Sequence, residues 1–279
     1  SRTTTPVMMV EVENDGIIGY GEAAMPPYLG ESHETARAFL SKVDFGKYEN
    51  PALLEEVLAD IDGIAPGNHA AKAAVDIALH DWLGKKLGVS WHQVWGLNPA
   101  KTPVTSFTIG IDKDKDVVRQ KVKEAGPYKI LKVKLGREND KEMIETIREV
   151  TDKPIRTDVN QGWKDKAYAL KMIEWLATKN VEFIEQPMPK EMVDEHAWLK
   201  ERSPMPIIGD ESVVRLADVR KATGVYHGIN IKLMKCTGML EAYKMILLAR
   251  ALDMKVMLGC MTETSCAISA AAQLSPLVD

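Results

Sequence analysis

The sequence predicts an α/β fold: a barrel of repeated strand-helix units preceded by a smaller α+β domain. Three observations carry that prediction. From Thr102 onward, short β-rich runs alternate with amphipathic stretches of helical length. Before that point, two extended segments around Asn14-Asp15-Gly16 are followed by helices. No strand run leads into a G-x-G-x-x-G or a Walker-type glycine loop, so the nucleotide-binding α/β folds lose support.

Val7–Val12 reads as a strand, Asn14-Asp15-Gly16 as a turn and Ile17–Glu22 as the second arm of a hairpin. Met25–Gly30, with Pro26, Pro27 and Gly30, fits neither a helix interior nor a central strand. Helices follow, one capped by Ser32, one after Pro51, and a long one from about Asn68 to Leu87. In the last of these, Ala71, Ala74, Val75, Ala78, Leu79 and Trp82 recur at helical spacing. Residues 1–101 thus form the expected α+β domain and residues 102–279 the barrel. The barrel's strand runs fall near 104–109, 129–135, 155–159, 182–185, 206–209, 229–234 and 255–259. The helical stretches between them include Lys113–Ala125, Lys141–Val150, Lys164–Thr178 and Met239–Leu252. Seven units suit a (β/α)₈ barrel better than an open sheet, and the last strand is expected beyond Asp279. The start at Ser1, without Met, likewise leads us to expect further sequence before it.

A chain of 279 residues with 45% hydrophobic residues can bury a sizeable core. A net charge of −4 with no basic stripe argues against a nucleic-acid partner. No apolar run approaches the roughly 18 residues that span a bilayer, and no signal-peptide pattern opens the chain, so no membrane partner is expected. Cys236, Cys260 and Cys266 are odd in number and not in CxxC spacing, which fits a reducing, cytoplasmic setting.

The chemistry lies at the ends of the barrel's strand runs, where (β/α)₈ enzymes keep their active sites. Lys134, Asp158, Glu185, Asp210 and Lys235 close five consecutive runs, about one βα unit apart. Lys132 lies two residues before Lys134, so both side chains project the same way and their repulsion favours a neutral amine on one of them. Two solvated lysines at a strand end are the plainer alternative. Asp158, Glu185 and Asp210 sit on neighbouring strands with no His nearby, a hard-oxygen set suited to one Mg²⁺ rather than zinc. Each carboxylate taken singly reads equally as a helix N-cap. His33, His69, His80 and His92 fall in the first domain and read as structural. Lys134 on the second strand and Lys235 on the sixth are opposed in a ring of eight. A substrate carboxylate on the metal would present its α-carbon between them. One lysine would remove the proton and the other return one to the opposite face, through a metal-stabilised enediolate.

Lys132-Val133-Lys134, Asp158-Val159-Asn160, Ile184-Glu185-Gln186-Pro187, Gly209-Asp210-Glu211-Ser212 and Asn230–Lys235 together resemble the enolase superfamily, muconate-lactonising subgroup. Within it, the sixth-strand motif and Ser1-Arg2-Thr3 are most similar to dipeptide epimerases of the L-Ala-D/L-Glu type. The resemblance implies a modified TIM barrel, (β/α)₇β, and an isomerase with Lys134 and Lys235 as acid/base pair. It implies Asp158, Glu185 and Asp210 on Mg²⁺, and Lys132 against the substrate carboxylate. Arg2 would pair with a glutamyl side-chain carboxylate, Thr108 and the Cys260 backbone would contact substrate, and Met25–Gly30 would be a mobile lid. It further implies a small dipeptide substrate, a place in cell-wall peptide metabolism and a homo-oligomer. The family's eighth-strand Asp-x-Asp, which binds the dipeptide's ammonium, is not in this sequence.

Other reactions of the subgroup use the same residues: N-acylamino acid racemisation, o-succinylbenzoate synthesis and cycloisomerisation. A Schiff-base lyase barrel, or a metal-binding barrel without turnover, would also place lysines and carboxylates here.

Overall fold

The computed structural model describes residues 4–279. Its first sheet is a hairpin of β1 (Met8–Asn14) and β2 (Ile17–Ala23), paired antiparallel from Met8↔Ala23 to Asn14↔Ile17. Asp15 and Gly16, both at positive φ, make the two-residue turn. Pro27–Leu29 forms a single 3₁₀ turn, which Gly30 leaves at positive φ. Then come α1 (His33–Leu40), α2 (Leu54–Gly63), α3 (His69–Leu87) and the short α4 (Trp91–Val94). Ser32 caps α1 in a reciprocal capping box with Thr35.

The hairpin lies on α3 with almost no side chain between them. A Cβ at Gly19 would collide with the Ala78 carbonyl, and one at Gly21 with the Ala74 carbonyl. The alanines recurring along α3 are therefore the floor on which β2 rests. Val12, Val57, Ile61, Ala71, Val75 and Leu79 fill the core of this region.

The second sheet contains β3 (Ser106–Ile109), β4 (Ile130–Lys134), β5 (Ile155–Asp158), β6 (Val181–Glu185), β7 (Ile207–Gly209), β8 (Gly228–Ile231) and β9 (Lys255–Leu258). All seven are parallel and pair in sequence order. The crossovers are α5 (Lys115–Glu124), α6 (Asp140–Arg148), α7 (Lys166–Ala177), α8 (Val193–Arg202), α9 (Leu216–Ala222) and α10 (Met239–Ala251). The helix α11 (Ser265–Ala272) follows β9. This curled seven-stranded sheet, covered by its helices, is a half-barrel consistent with the modified TIM type, its outer strands β3 and β9 not paired with each other. Ile109, Leu131, Val133, Ile155, Ile184, Ile207, Ile229 and Ile231 form its buried apolar strand core.

One strand is shorter than its sequence pattern predicts. The run Ile229–Leu233 alternates apolar and polar residues as a strand would, yet β8 ends at Ile231. Beyond it the chain coils: the Lys235 and Cys236 amides donate to the Lys232 carbonyl, and Gly238 donates to Leu233. Lys235 is therefore in a turn, and Lys232 is the residue that leaves the strand.

Candidate active site

Sheet register places the charged residues. Lys134 pairs with Asp158, and Asp158 with Glu185, so all three occupy one level at the C-terminal edge. Asp210 follows directly on β7. Thr108 pairs with Lys132 one alternation lower, on the same side of the sheet. The turns that launch the chain from these carboxylates are unusual. Asn160, Gln161 and Gln186 all have positive φ, a conformation that costs a non-glycine residue and needs compensation. For Gln186 the compensation is visible. Its Oε1 accepts from the Asp210 and Ser212 amides at 2.9 and 3.3 Å, and its Nε2 donates to Ser212 Oγ at 2.8 Å and the Met188 carbonyl at 3.1 Å. Gln186 is a fully buried spine holding the Glu185 and Asp210 turns together.

Asp158, Glu185 and Asp210 are fully buried, and one oxygen from each lies within 4.8 Å of the others. Burial and then the Asp158 charge push the Glu185 carboxyl up to about 7. Burial also opposes ionisation of Asp158 and Asp210. Lys132 and Lys134 override it at the first, and Lys235 and Lys232 at the second, holding both carboxyls below their ordinary values. Glu185 Oε2 is 2.6 Å from the Lys132 ammonium but has no well-aligned hydrogen bond. Three crowded, buried carboxylates with no sulfur or imidazole in the cluster fit a single hard divalent cation.

Lysines enclose the cluster. Lys132 Nζ lies 3.0 Å from Asp158 and 2.6 Å from Glu185, Lys134 Nζ 2.6 Å from Asp158, and Lys232 Nζ 2.6 Å from Asp210. Burial alone would push the Lys132 ammonium down, but Glu185 and Asp158 raise it above its ordinary value. Attraction to the carboxylates thus outweighs the repulsion between Lys132 and Lys134 expected from their spacing. Lys232 shows the same balance, with Asp210 and then Glu185 overriding burial.

Lys235 is placed differently from the sequence-based expectation. Its ammonium donates to Asp210 Oδ1 at 2.7 Å and to the carbonyls of Asp210, Val213 and Asn230 at 2.5, 2.9 and 2.9 Å. Four acceptors saturate three N–H bonds, and the residue is 1% exposed. Lys235 sits behind Asp210, whereas Lys232 bonds the other oxygen of that carboxylate.

Cys260 lies two residues beyond β9. Burial and the Glu263 charge push its thiol up, which disfavours a nucleophilic thiolate. Arg2 lies outside the described residues. Three further ionisable groups, Glu211, Glu263 and Tyr28, have no individual role in the sequence reading. Glu211 Oε1 accepts from Asn160 Nδ2 at 3.4 Å while its Oε2 is buried without a partner. Glu263 is pushed up to about 7, mainly by burial. The Tyr28 hydroxyl is held above its ordinary value by burial and then by Asp210, Glu211, Glu185 and Asp158, so it belongs to the surroundings of the carboxylates. Only the Pro/Gly punctuation around Tyr28 could have drawn attention to it.

Residues 113–279 match the model of the enolase C-terminal domain-like family, and residues 1–96 that of the mandelate racemase/muconate lactonizing enzyme N-terminal domain. An L-Ala-D/L-Glu epimerase of Bacteroides thetaiotaomicron is 62% identical over 100% of this chain and 73% of its own length. An N-succinyl-L-Arg/Lys racemase of Bacillus cereus is 33% identical over 97% of this chain and 76% of its own. A solved dipeptide epimerase of Enterococcus faecalis, complexed with Mg and L-Leu-L-Tyr, superposes with a TM-score of 0.87 at 33% identity, covering 96% of this chain and 78% of that one. The arrangement of carboxylates and lysines and both family matches agree: the chain belongs to the mandelate racemase/muconate lactonizing enzyme family of the enolase superfamily.

Proposed function

We propose that this protein is a Mg²⁺-dependent epimerase of dipeptides of the L-Ala-D/L-Glu type, moving protons at the carbon α to the substrate carboxylate. The observation that carries this reading is the placing of lysines on both sides of the carboxylates, Lys134 leaving β4 and Lys232 leaving β8, with β5, β6 and β7 between them. The similarity to the Bacteroides dipeptide epimerase supports the substrate class.

Asp158, Glu185 and Asp210 would hold the ion. Mg²⁺ there supplies positive charge beside the substrate carboxylate, lowering the cost of the charge that develops as the α-proton leaves. Lys134 takes or returns the proton on one face of the α-carbon. We assign the other face to Lys232 rather than Lys235, because a base must reach the substrate and Lys235 is enclosed by four oxygens. Lys132 stays a cation and pairs with the substrate carboxylate. Thr108 and the Cys260 backbone line the substrate's path, and Arg2 is the proposed partner of a glutamyl side chain. We place residues 1–101 as a capping domain, with Met25–Gly30 as its specificity loop, over the barrel of residues 102–279. A homo-oligomer in the cytoplasm, acting in cell-wall peptide metabolism, completes the proposal. Three free cysteines support a reducing compartment, and no helix among the described residues is long and apolar enough to cross a membrane.

Solvent deuterium exchange tests the reading. The wild-type protein with Mg²⁺ should label the α-position of both epimers of L-Ala-Glu, and EDTA should stop it. Lys134→Ala should lose exchange from one epimer and Lys232→Ala from the other. Normal exchange of both epimers by both variants would refute the two-base assignment. A second reading, an N-acylamino acid racemase, rests on the similarity to the Bacillus cereus racemase. Labelling of N-succinyl amino acids without labelling of dipeptides would favour it.

A further inference from the structure

A second charged cluster lies away from the mouth, where the N-terminal helices meet the loops that follow β7 and β8. Arg215 is at its centre. Its Nε and Nη2 donate to the two carboxylate oxygens of Glu241, on α10, at 2.7 and 2.6 Å. Its Nη1 and Nη2 also donate to the two oxygens of Asp62, on α2, at 3.3 and 3.0 Å. Asp62 is itself pinned by the buried Lys72, whose ammonium reaches Asp62 Oδ1 at 2.8 Å and the Asp62 and Ala65 carbonyls at 3.0 and 2.7 Å. Glu241 also accepts from the Leu216 amide at 2.8 Å and from Thr237 Oγ1 at 3.3 Å.

An isolated ion pair at this depth would contribute little. Two bidentate contacts from one guanidinium are another matter, because the planar fork fixes both carboxylates relative to each other, and a lysine cannot copy that geometry. What the fork fixes is significant for the site. Arg215 ends the segment that begins at Asp210, and Glu241 opens the helix that follows the Lys232–Gly238 turn. Lys235 staples the same two segments from the inside, through Asp210, Val213 and Asn230. Asp62 adds the N-terminal domain as a third body.

We propose that Arg215 is a positioning residue: by joining Asp62 to Glu241 it sets the Asp210 and Lys232 segments in the geometry that metal binding and proton transfer require. The catalytic part of this inference rests on the epimerase reading, and the metal part does not. Asp210 and Lys232 belong to the tied segments, whereas Lys134 and Asp158 leave β4 and β5, which the cluster does not touch. Loss of the fork should therefore act unequally on the two faces of the α-carbon.

The test uses the full chain carrying Arg215→Gln, Arg215→Lys or Asp62→Asn, with two readouts. Calorimetric Mg²⁺ affinity in the absence of substrate should weaken about tenfold in Arg215→Gln. Exchange at the face served by Lys232 should slow by about ten- to a hundredfold, the range expected of a misplacement near 1 Å. Exchange at the face served by Lys134 should change by no more than about twofold. Arg215→Lys should fail to restore either readout, and Asp62→Asn should move both in the same direction, which covers the case of an Arg215 variant that does not fold. Unchanged affinity with equal losses on both faces, or a lowered melting temperature with both readouts unchanged, would reduce Arg215 to a strut and overturn the proposal. If the wild-type protein binds Mg²⁺ yet labels neither epimer, the epimerase reading falls, and the Mg²⁺ affinities alone decide the role of Arg215.

Discussion

The mouth of the barrel and the seam beside α2, α3 and α10 both gather buried charge, but they resolve it in opposite ways. In the seam the principal charges are answered, although Nε2 of the buried His80 beside Asp76 has no partner. Arg215 has two carboxylates, Lys72 has three oxygens, and Asp76 accepts from the Met239 and Leu240 amides at 2.5 and 3.1 Å, capping α10 from another domain. In the mouth the answers are incomplete. Glu185 and Glu211 each keep a buried oxygen without a well-aligned partner, and the Glu185 carboxyl is pushed up to about 7 by burial and by Asp158. Charge that the fold satisfies fully is scaffolding, and charge left over awaits a ligand.

Lys232 and Lys235 present the same contrast within one turn, and they give the largest expected effect. Replacing Lys235 with Met would strand the Val213 and Asn230 carbonyls and half of the Asp210 carboxylate, while the Asp210 carbonyl would keep only the Val213 amide. Breaking such a buried pair should cost about 3–5 kcal/mol in chemical denaturation. Lys232→Met should cost distinctly less, because Lys235 still answers Asp210, while abolishing exchange at one face of the substrate. A Lys235 variant that is as stable as the parent and loses exchange at one face would break the comparison and restore Lys235 as a base.

The next effect belongs to the seam. Asp76→Ala removes the cap of α10 and the partner of His80, whose Nδ1 lies 3.2 Å from Asp76. Loss of a cap of this kind should cost about 1–2 kcal/mol, read as a lower denaturation midpoint. A negligible change would mean that the seam is less dependent on its charges than its hydrogen bonds imply.

The difference between these regions also explains what the sequence could disclose. Strand ends were legible wherever a charged residue stops an apolar run and the sheet stops with it. β4 ends at Lys134, β5 at Asp158 and β6 at Glu185, and Asp210 directly follows β7. The sixth run misled because polar–apolar alternation continues past the last paired residue, Ile231, as far as Leu233, and breaks only at Met234. The signs of the turn, Thr237 and Gly238 at positive φ, come only after it. Lys232 and Lys235 take different oxygens of Asp210, more than 20 residues away in sequence, and no local pattern records that division. Gln186 and Glu211 stand in motifs the sequence displays but without a role, and Arg215 in none, for the same reason: each acts through partners on other strands or helices, and no local period encodes that.

The smallest expected effect tests whether pH sensitivity behind the mouth belongs to the scaffold. His196 Nδ1 donates to the Met192 carbonyl at 2.8 Å, and its Nε2 accepts from the Met188 amide at 3.4 Å, so the neutral ring is satisfied. Burial pushes its pKa below the ordinary histidine value, with those backbone contacts only partly offsetting the shift. Above a pH of about 6.5 the ring is neutral in both folded and unfolded chains and adds no pH dependence. Below that value the unfolded chain takes up a proton that the folded one resists, so stability falls with falling pH. Urea midpoints measured at successive pH values should therefore drop on the acid side, and His196→Gln should flatten part of that slope. An identical slope in the variant would move the acid sensitivity to His69 and His227, whose imidazoles burial also holds below the ordinary value, and would leave the scaffold behind the mouth without a pH-sensitive element.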